Sequence, residues 1–471
     1  MVPKVVGSSP TPHPKINCKF EMKLETSVIG VIGLGYVGLP LAVSFARKYK
    51  VVGFDINAKR IAALKRGEDS TNEADRATFD EVLAKQSITF TSDETALQQC
   101  DVIIVSVPTP IDYANQPDLE PLVSASQTIG RNLKKGCVVI FESTTFPTCT
   151  EKVCGAEIER VSGMRYNEDF FMGYSPERIN PADKVNRFET IKKITSGSTP
   201  EVADFVDALY NSVLKNGTHR APSMAVAEAA KAVENAQRDV NIAFVNEIAM
   251  LCGHLGIDSR AVLEAAGTKW NFIKMQPGLV GGHCISVDPY YLTYIGRTAG
   301  YECQLINAGR AVNNGVVDYI VGELLKILIK ANSHRVLMLG CSFKEGCGDI
   351  RNSKIFDIIA KLNSYGVSCS IYDPYVDYVA LPKSLNIAKR GIVNGVIELG
   401  SGEVPTDDSQ VQNYFLVGQL NEALMSSYDL IVLGVSHPEF MSFDYALLHE
   451  RNVSIYDVKG VLDKANISSR L

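Results

Sequence analysis

The chain has 471 residues, of which 46% are hydrophobic and 21% charged, enough for two or three domains each with its own core. Its formal charge of -6 comes with no basic block, which argues against a nucleic-acid partner, so a small anionic ligand must be met by local Lys and Arg. Eleven cysteines, an odd number scattered from Cys18 to Cys369 without a CxxC pair, speak against a disulfide framework or a zinc site and fit a reducing, cytoplasmic home.

In chain order, residues 1–21 carry Pro3, Ser8, Ser9, Pro10, Pro12 and Pro14, so they are expected to form a disordered extension, and Met22 could serve as the natural start. Val28 to Ala46 has no charged residue and is long enough to be mistaken for a membrane span. Its glycines after a β-branched run, with Pro40 inside, predict a strand, a turn and a helix instead, and no membrane partner.

From Val28 to about Tyr210, apolar runs at 28–32, 51–54, 102–105 and 138–141 alternate with helical stretches. Buried parallel strands read this way, which implies a doubly wound sheet. Ala225 to His254, followed by Gly256, predicts one long helix with a glycine cap, suited to domain linkage and subunit contact. A second alternating block, with strands expected at 335–339, 370–372, 430–433 and 453–456, predicts a second α/β domain. Between Lys389 and Gln419 the pattern weakens, and a loop-rich excursion is expected.

Several motifs fall at strand ends. Gly33-Leu34-Gly35-Tyr36-Val37-Gly38 follows the first strand and opens a helix, where glycines permit a tight turn and the helix N-terminus meets a pyrophosphate. An FAD or nucleotide-sugar Rossmann domain, or a plain glycine turn, shares that pattern. Asp55 closes the second strand, where a carboxylate accepts from both ribose hydroxyls and repels a 2'-phosphate, favouring NAD over NADP. Arg60 follows one helical turn beyond, a position that a solvated helix residue fills equally well.

Val107-Pro108-Thr109-Pro110 and Glu142-Ser143-Thr144-Thr145 each lie past a strand, at a ligand crevice or in ordinary turns. Ser175 to Pro181 sets Glu177 beside Arg178 in a proline-bounded loop, which is also the pattern of a surface salt bridge. On the long helix Glu228, Lys231, Asn235 and Arg238 share one face, as a functional set or as a solvated polar stripe. Gly281-Gly282-His283-Cys284, with Asp288 four residues on, reads as a nucleophile in a tight loop or as a buried spectator thiol. Phe343-Lys344 and Asp349 to Ser353 bring cations to the end of a later strand.

In order, GLGYVGLP, VPTP, ESTT, SPER, EAAKAVEN, GGHC with Asp288, FKEGCGDIRNS, YDP and DVKG resemble the UDP-glucose/GDP-mannose dehydrogenase family from about Val28 to Gly460. The GGHC loop running into VDPYYLT looks most like its UDP-N-acetylhexosamine 6-dehydrogenases. The resemblance implies two Rossmann-like doubly wound α/β domains joined by a central helical region: an NAD domain over 22–214, a dimerisation and catalytic region over 215–325, and a UDP-sugar domain over 326–471.

It also implies a cytoplasmic homodimer of bacterial surface-polysaccharide synthesis, and a four-electron oxidation of a UDP-N-acetylhexosamine at C6 with two NAD per cycle and no metal. UDP-glucose and UDP-N-acetylmannosamine are the neighbouring substrates. By similarity, Cys284 forms a thiohemiacetal and then a thioester; Lys231 and Asn235 stabilise its oxyanion; Asp288 and Thr144 position water; and Glu177 is the hydrolytic base. NAD contacts carry over to Gly33, Gly35, Tyr36, Val37, Gly38, Asp55, Arg60, Thr109, Ser143 and Arg351. Sugar-nucleotide contacts carry over to Arg178, Lys231, Asn235, Gly281 and Lys344. Three departures stand out: Pro181 where many relatives have glutamate, and Ser286 and Thr148 where they have glycine.

Overall fold

The computed structural model describes residues 20, 22–71, 73–179, 185–376, 389–393, 396–399 and 420–471. Of the extension expected to be disordered, only Phe20 falls within them; its ring packs edge-on against Phe171 and Phe205, with centroids 5.1 and 5.5 Å away. Asn180 and Pro181 lie outside the described residues, as does most of 389–419.

Eight strands make the first sheet: β1 (Val28–Ile32), β2 (Lys50–Phe54), β3 (Ile88–Thr91), β4 (Val102–Val105), β5 (Val138–Phe141), β6 (Phe171–Tyr174), β7 (Lys193–Gly197) and β8 (Thr218–Arg220). Their order is β3-β2-β1-β4-β5-β6-β7-β8, and every neighbouring pair is parallel except β6 with β7. The apolar runs are continuous because both faces are covered. Ile29, Val31 and Ile104 pack on one side with the helix Gly38–Ala46, and Ile103, Val105 and Phe141 on the other with the helix Glu120–Asn132. The order reverses between β1 and β4, which opens a ligand crevice at their carboxyl ends.

The second sheet holds β9 (Arg335–Leu339), β10 (Ser368–Tyr372), β11 (Lys389–Val393), β12 (Val396–Leu399), β13 (Leu430–Leu433), β14 (Ser454–Asp457) and β15 (Ser469–Arg470). Its order is β11-β12-β10-β9-β13-β14-β15, so the same reversal recurs between β9 and β13. The expected loop-rich excursion starts instead as two antiparallel strands, β11 and β12, laid on β10. β-branched residues flanking Asn394-Gly395 carry that hairpin signal in the sequence.

Two long helices, Met224–Leu255 and Gln304–Ala331, form a spine between the sheets. The first begins with Ser223 accepting the Val226 N–H and ends at Gly256 with φ +70°, the glycine cap that the sequence predicts. Between the two helices runs a buried polar seam: Asp239 accepts from Arg310 Nη1 at 2.6 Å and Asn313 Nδ2 at 2.7 Å, and Asn313 accepts from Asn246 at 2.8 Å. Asn246 also clamps both backbone groups of Gly278, at 2.8 and 3.0 Å, which ties the approach to the Cys284 loop onto the spine. No helix among the described residues is long and apolar enough to cross a membrane.

Candidate active site

At the end of β1 the chain must turn inside its own van der Waals envelope. Gly33 sits at φ +85°, and a Cβ on Gly38 would fall 1.8 Å from the Gly33 carbonyl oxygen. A Cβ on Gly35 would meet nothing within 4 Å, leaving open space at the N-terminus of the helix Gly38–Ala46, which suits a dinucleotide pyrophosphate. Asp55 stands at the end of β2, accepting from the Leu34 N–H at 2.8 Å with one oxygen and from the Asn57 N–H at 2.8 Å with the other. Each oxygen keeps a lone pair for a ribose hydroxyl.

Arg60 braces this turn. Its Nε donates to the Leu34 carbonyl at 3.0 Å, and Nη2 pairs with Asp69 at 2.9 Å. The loops after β4 and β5 are tied by Ser143 Oγ, which donates to the Val107 carbonyl at 2.7 Å, and by Tyr291 OH, which donates to the Thr109 carbonyl at 3.1 Å. Thr144 follows, half-buried, on the same loop.

The polar face of the long helix is not a solvated stripe, because Glu228 and Lys231 are buried and only Arg238 is exposed. Glu228 earns its burial by accepting the N–H groups of Thr148 and Thr150; burial lifts its carboxyl to about 7 against those bonds. Thr148, at φ +74°, holds a left-handed conformation natural to the glycine it replaces.

Burial opposes a charge on Lys231, but Asp288, Cys284 and Glu177 outweigh it and raise its pKa. Asp288 accepts from Asn235 Nδ2; burial pushes its carboxyl up to about 6, with Lys231 and Asn235 opposing.

The cysteine loop is shaped by two close approaches. A Cβ on Gly281 would lie 2.6 Å from the Asn352 carbonyl oxygen, and Gly282, at φ +81°, would press one to 2.9 Å from the Phe343 ring. Asn352 Nδ2 donates to the Gly282 carbonyl at 3.0 Å, and Ser286 Oγ donates to the same oxygen at 2.6 Å. The extra hydroxyl of Ser286 therefore braces the loop. The Cys284 carbonyl accepts from the Asp288 N–H at 2.8 Å, which sets the thiol one turn before the helix Asp288–Thr298. Burial, then Asp288, pushes the thiol up to about 12 against Lys231, so the resting sulfur keeps its proton at neutral pH.

Glu177 is buried past β6, its N–H on the Glu142 carbonyl at 3.1 Å, and it makes no surface salt bridge with Arg178. Arg178 pairs instead with Glu234 of the long helix at 2.7 Å. Below, the buried Lys193 pairs with Glu142 and donates to the Pro176 carbonyl at 2.7 Å, fixing the backbone that carries Glu177.

Arg178, Lys231, Asn235, Gly281, Cys284 and Lys344, drawn from four separate stretches of chain, line one cavity of about 740 Å³. Lys192, Glu234 and Phe343 line it too; Glu234 and Phe343 lie inside quoted motifs without a role of their own, and Lys192 had no signal in the sequence read alone. Arg351 lies beside the thiol loop, paired with Asp349 at 2.5 Å and over the Tyr36 ring at 5.8 Å. Tyr36 thus joins the glycine loop to the cysteine loop. Among the described residues no cluster of three or more His, Cys, Asp or Glu could hold a metal.

Family models for the UDP-glucose/GDP-mannose dehydrogenase family match along the chain: the NAD binding domain over 27–214, the central domain over 225–315 and the UDP binding domain over 337–464. The UDP-N-acetyl-D-glucosamine 6-dehydrogenase of Pseudomonas aeruginosa is 47% identical, covering 94% of this chain and 99% of that protein. The protein of the same name from Salmonella typhi is 43% identical over 94% and 98%, and the Staphylococcus aureus protein CapL 42% over the same shares. Among solved structures, the UDP-D-ManNAc dehydrogenase of Pyrococcus horikoshii superposes with TM-score 0.79 at 29% identity, covering 94% and 98%. With an NAD domain, a UDP domain and a shared cavity between them, this chain is an NAD-dependent nucleotide-sugar 6-dehydrogenase and belongs to the UDP-glucose/GDP-mannose dehydrogenase family.

Proposed function

We propose that the chain oxidises the C6 hydroxymethyl of a UDP-N-acetylhexosamine, UDP-GlcNAc or UDP-GalNAc, to the uronate through a covalent adduct on Cys284. One observation carries this reading: among the described residues a single thiol, Cys284, opens onto the inter-domain cavity, with Lys231, Asn235 and Asp288 gathered beside it. The 47% and 43% identical relatives named for UDP-N-acetyl-D-glucosamine favour that sugar. Relatives named for UDP-N-acetyl-D-mannosamine, at 32%, make UDP-N-acetylmannosamine the second reading, ahead of UDP-glucose.

NAD held by Gly33 to Gly38, Asp55, Arg60, Thr109, Ser143 and Arg351 supplies hydride acceptance, twice per cycle. In the first oxidation Asp288 takes up the hydroxyl proton through water, with the Lys231 ammonium steadying the charge that develops on the oxygen. Cys284 Sγ then attacks the aldehyde carbon, and the Lys231 ammonium and the Asn235 amide hold the developing oxyanion. After the second oxidation Glu177 removes a proton from the water that hydrolyses the thioester, with Thr144 and Asp288 orienting it. Arg178, Gly281 and Lys344 hold the nucleotide sugar. The functional units in this reading are 22–214 for NAD, 215–325 for catalysis and subunit contact, and 326–471 for the UDP-sugar.

The assembly in this reading is a homodimer. Val226, Val233, Phe244, Leu251 and Leu255 are exposed and recur at helical spacing along one stripe of the long helix. Cytoplasmic action in bacterial surface-polysaccharide synthesis completes the reading, supported by the ten unpaired cysteines among the described residues. The test is a panel of UDP-GlcNAc, UDP-GalNAc, UDP-N-acetylmannosamine and UDP-glucose scored for NADH. Turnover of UDP-GlcNAc or UDP-GalNAc with two NADH per sugar is expected; preference for UDP-N-acetylmannosamine or UDP-glucose would overturn the substrate.

A further inference from the structure

We infer that His283 is a catalytic residue, the proton acceptor for the Cys284 thiol, backed by Asp349 in a Cys–His–Asp line. This rests on the covalent reading of Cys284 given above. His283 Nδ1 lies 3.1 Å from Cys284 Sγ and 3.1 Å from the Tyr36 hydroxyl. On its far side Nε2 is buried without a hydrogen-bond partner among the described residues, 3.9 Å from Asp349 Oδ2. An imidazole that receives S–H at Nδ1 must carry its own proton on Nε2. Asp349 is an acceptor placed for that proton, and it needs to approach by about 1 Å to reach hydrogen-bond distance.

The other groups about the ring fit this role. Phe343 stands edge-on to it at 5.8 Å and Tyr36 lies against it at 4.8 Å, fixing its plane. Burial first, then Arg351, Lys231 and Lys344, hold the imidazole down to about 4, with Asp349 opposing. It is therefore neutral, with a lone pair at Nδ1, but a weak base, so it takes the sulfur's proton only in concert with the forming bond from Sγ to C6, which acidifies that proton. Lys231, whose pKa is raised, is already charged and cannot. Arg351, doubly bonded to Asp349, keeps that carboxylate ionised against burial. No thiolate is needed in the resting site.

As the bond from Sγ to C6 forms, the sulfur's proton passes to Nδ1 and the carbonyl electron pair becomes the oxyanion at Lys231 and Asn235. When hydrolysis breaks that bond, the sulfur leaves with its electron pair and recovers the proton from Nδ1. Protons and electrons on the dyad return to their starting state, so His283 is a store used once in each direction.

The test is alkylation of Cys284 in the full chain by iodoacetamide, followed by peptide mass across pH 6 to 9.5. His283→Asn keeps a polar group but cannot take a proton, and should slow labelling about tenfold or more near pH 7.5, leaving only the steep rise of an unassisted thiol. Tyr36→Phe, which releases Nδ1 from the phenol, should label at the parent rate or faster. Labelling of His283→Asn within about twofold of the parent overturns the inference, and so does an equal slowing in Tyr36→Phe, which would trace the effect to packing. Two NADH per sugar from Cys284→Ala would instead overturn the covalent reading, a result that labelling rates cannot mimic.

Discussion

Arg310→Met is expected to be among the most destabilising single changes in the spine. Arg310 and Asp239 are 4% and 0% exposed and meet at 2.6 Å, and Asp239 also accepts from Asn313. Removing the guanidinium strands a carboxylate with one amide partner inside the helix pair, which costs about 3–5 kcal/mol. Replacing both partners, Arg310→Met with Asp239→Leu, removes the stranded charge and should recover most of that loss, since well-packed apolar replacements of buried pairs are often neutral. The sign of the pH dependence is fixed as well. Burial already raises Asp239, with Arg310 opposing; without Arg310 its folded pKa rises further above the unfolded value. The penalty is then full above the folded pKa and relieved as pH falls through it, so the single variant should lose more stability at pH 8 than at pH 5. Urea unfolding followed by far-ultraviolet circular dichroism, run as a double-mutant cycle, measures this. A single-variant loss below about 1 kcal/mol, or a double variant no better than the single, would refute the reasoning.

Three further expectations concern the site. Asp55→Ala should weaken NAD about 10–100-fold, as expected for losing a charged hydrogen bond to ribose, and relax discrimination against NADP; unchanged coenzyme preference in steady-state kinetics would remove Asp55 from the ribose site. Lys231→Ala should lower kcat about 100–1000-fold, the effect of an oxyanion donor, with little change in NAD affinity by titration. Asn235→Ala removes a bond that lowers the Asp288 pKa, so the acid limb of the kcat/KM profile, expected near pH 6 in the parent, should move to higher pH; a shift to lower pH contradicts the assignment.

The parallel strands were legible because a strand covered on both faces has no polar face to show, as in Val102-Ile103-Ile104-Val105. The glycine loop was legible because Gly33 and Gly38 answer to the backbone alone. What stayed hidden depends on tertiary contact. Glu228 has the sequence signature of a solvated helix residue, and its burial follows from two N–H donors about 80 residues away, Thr148 and Thr150. The pairing of Arg178 with Glu234 rather than its neighbour Glu177 depends on how a loop docks on a helix. His283 sat in view beside Cys284, but adjacency in sequence does not say which way a ring faces in a loop at φ +81°. The β11–β12 pair is hard to read from sequence because the polar residues around it dilute the short hairpin signal that Asn394-Gly395 carries.

The most direct test of the account is to trap the covalent adduct. Glu177→Gln should leave thioester formation intact and slow its hydrolysis, so acid quenching with UDP-GlcNAc and NAD should add one UDP-N-acetylhexosaminuronyl group to the peptide bearing Cys284, read by mass spectrometry. Uronate formed at the parent rate with an unmodified Cys284 peptide would contradict the thioester.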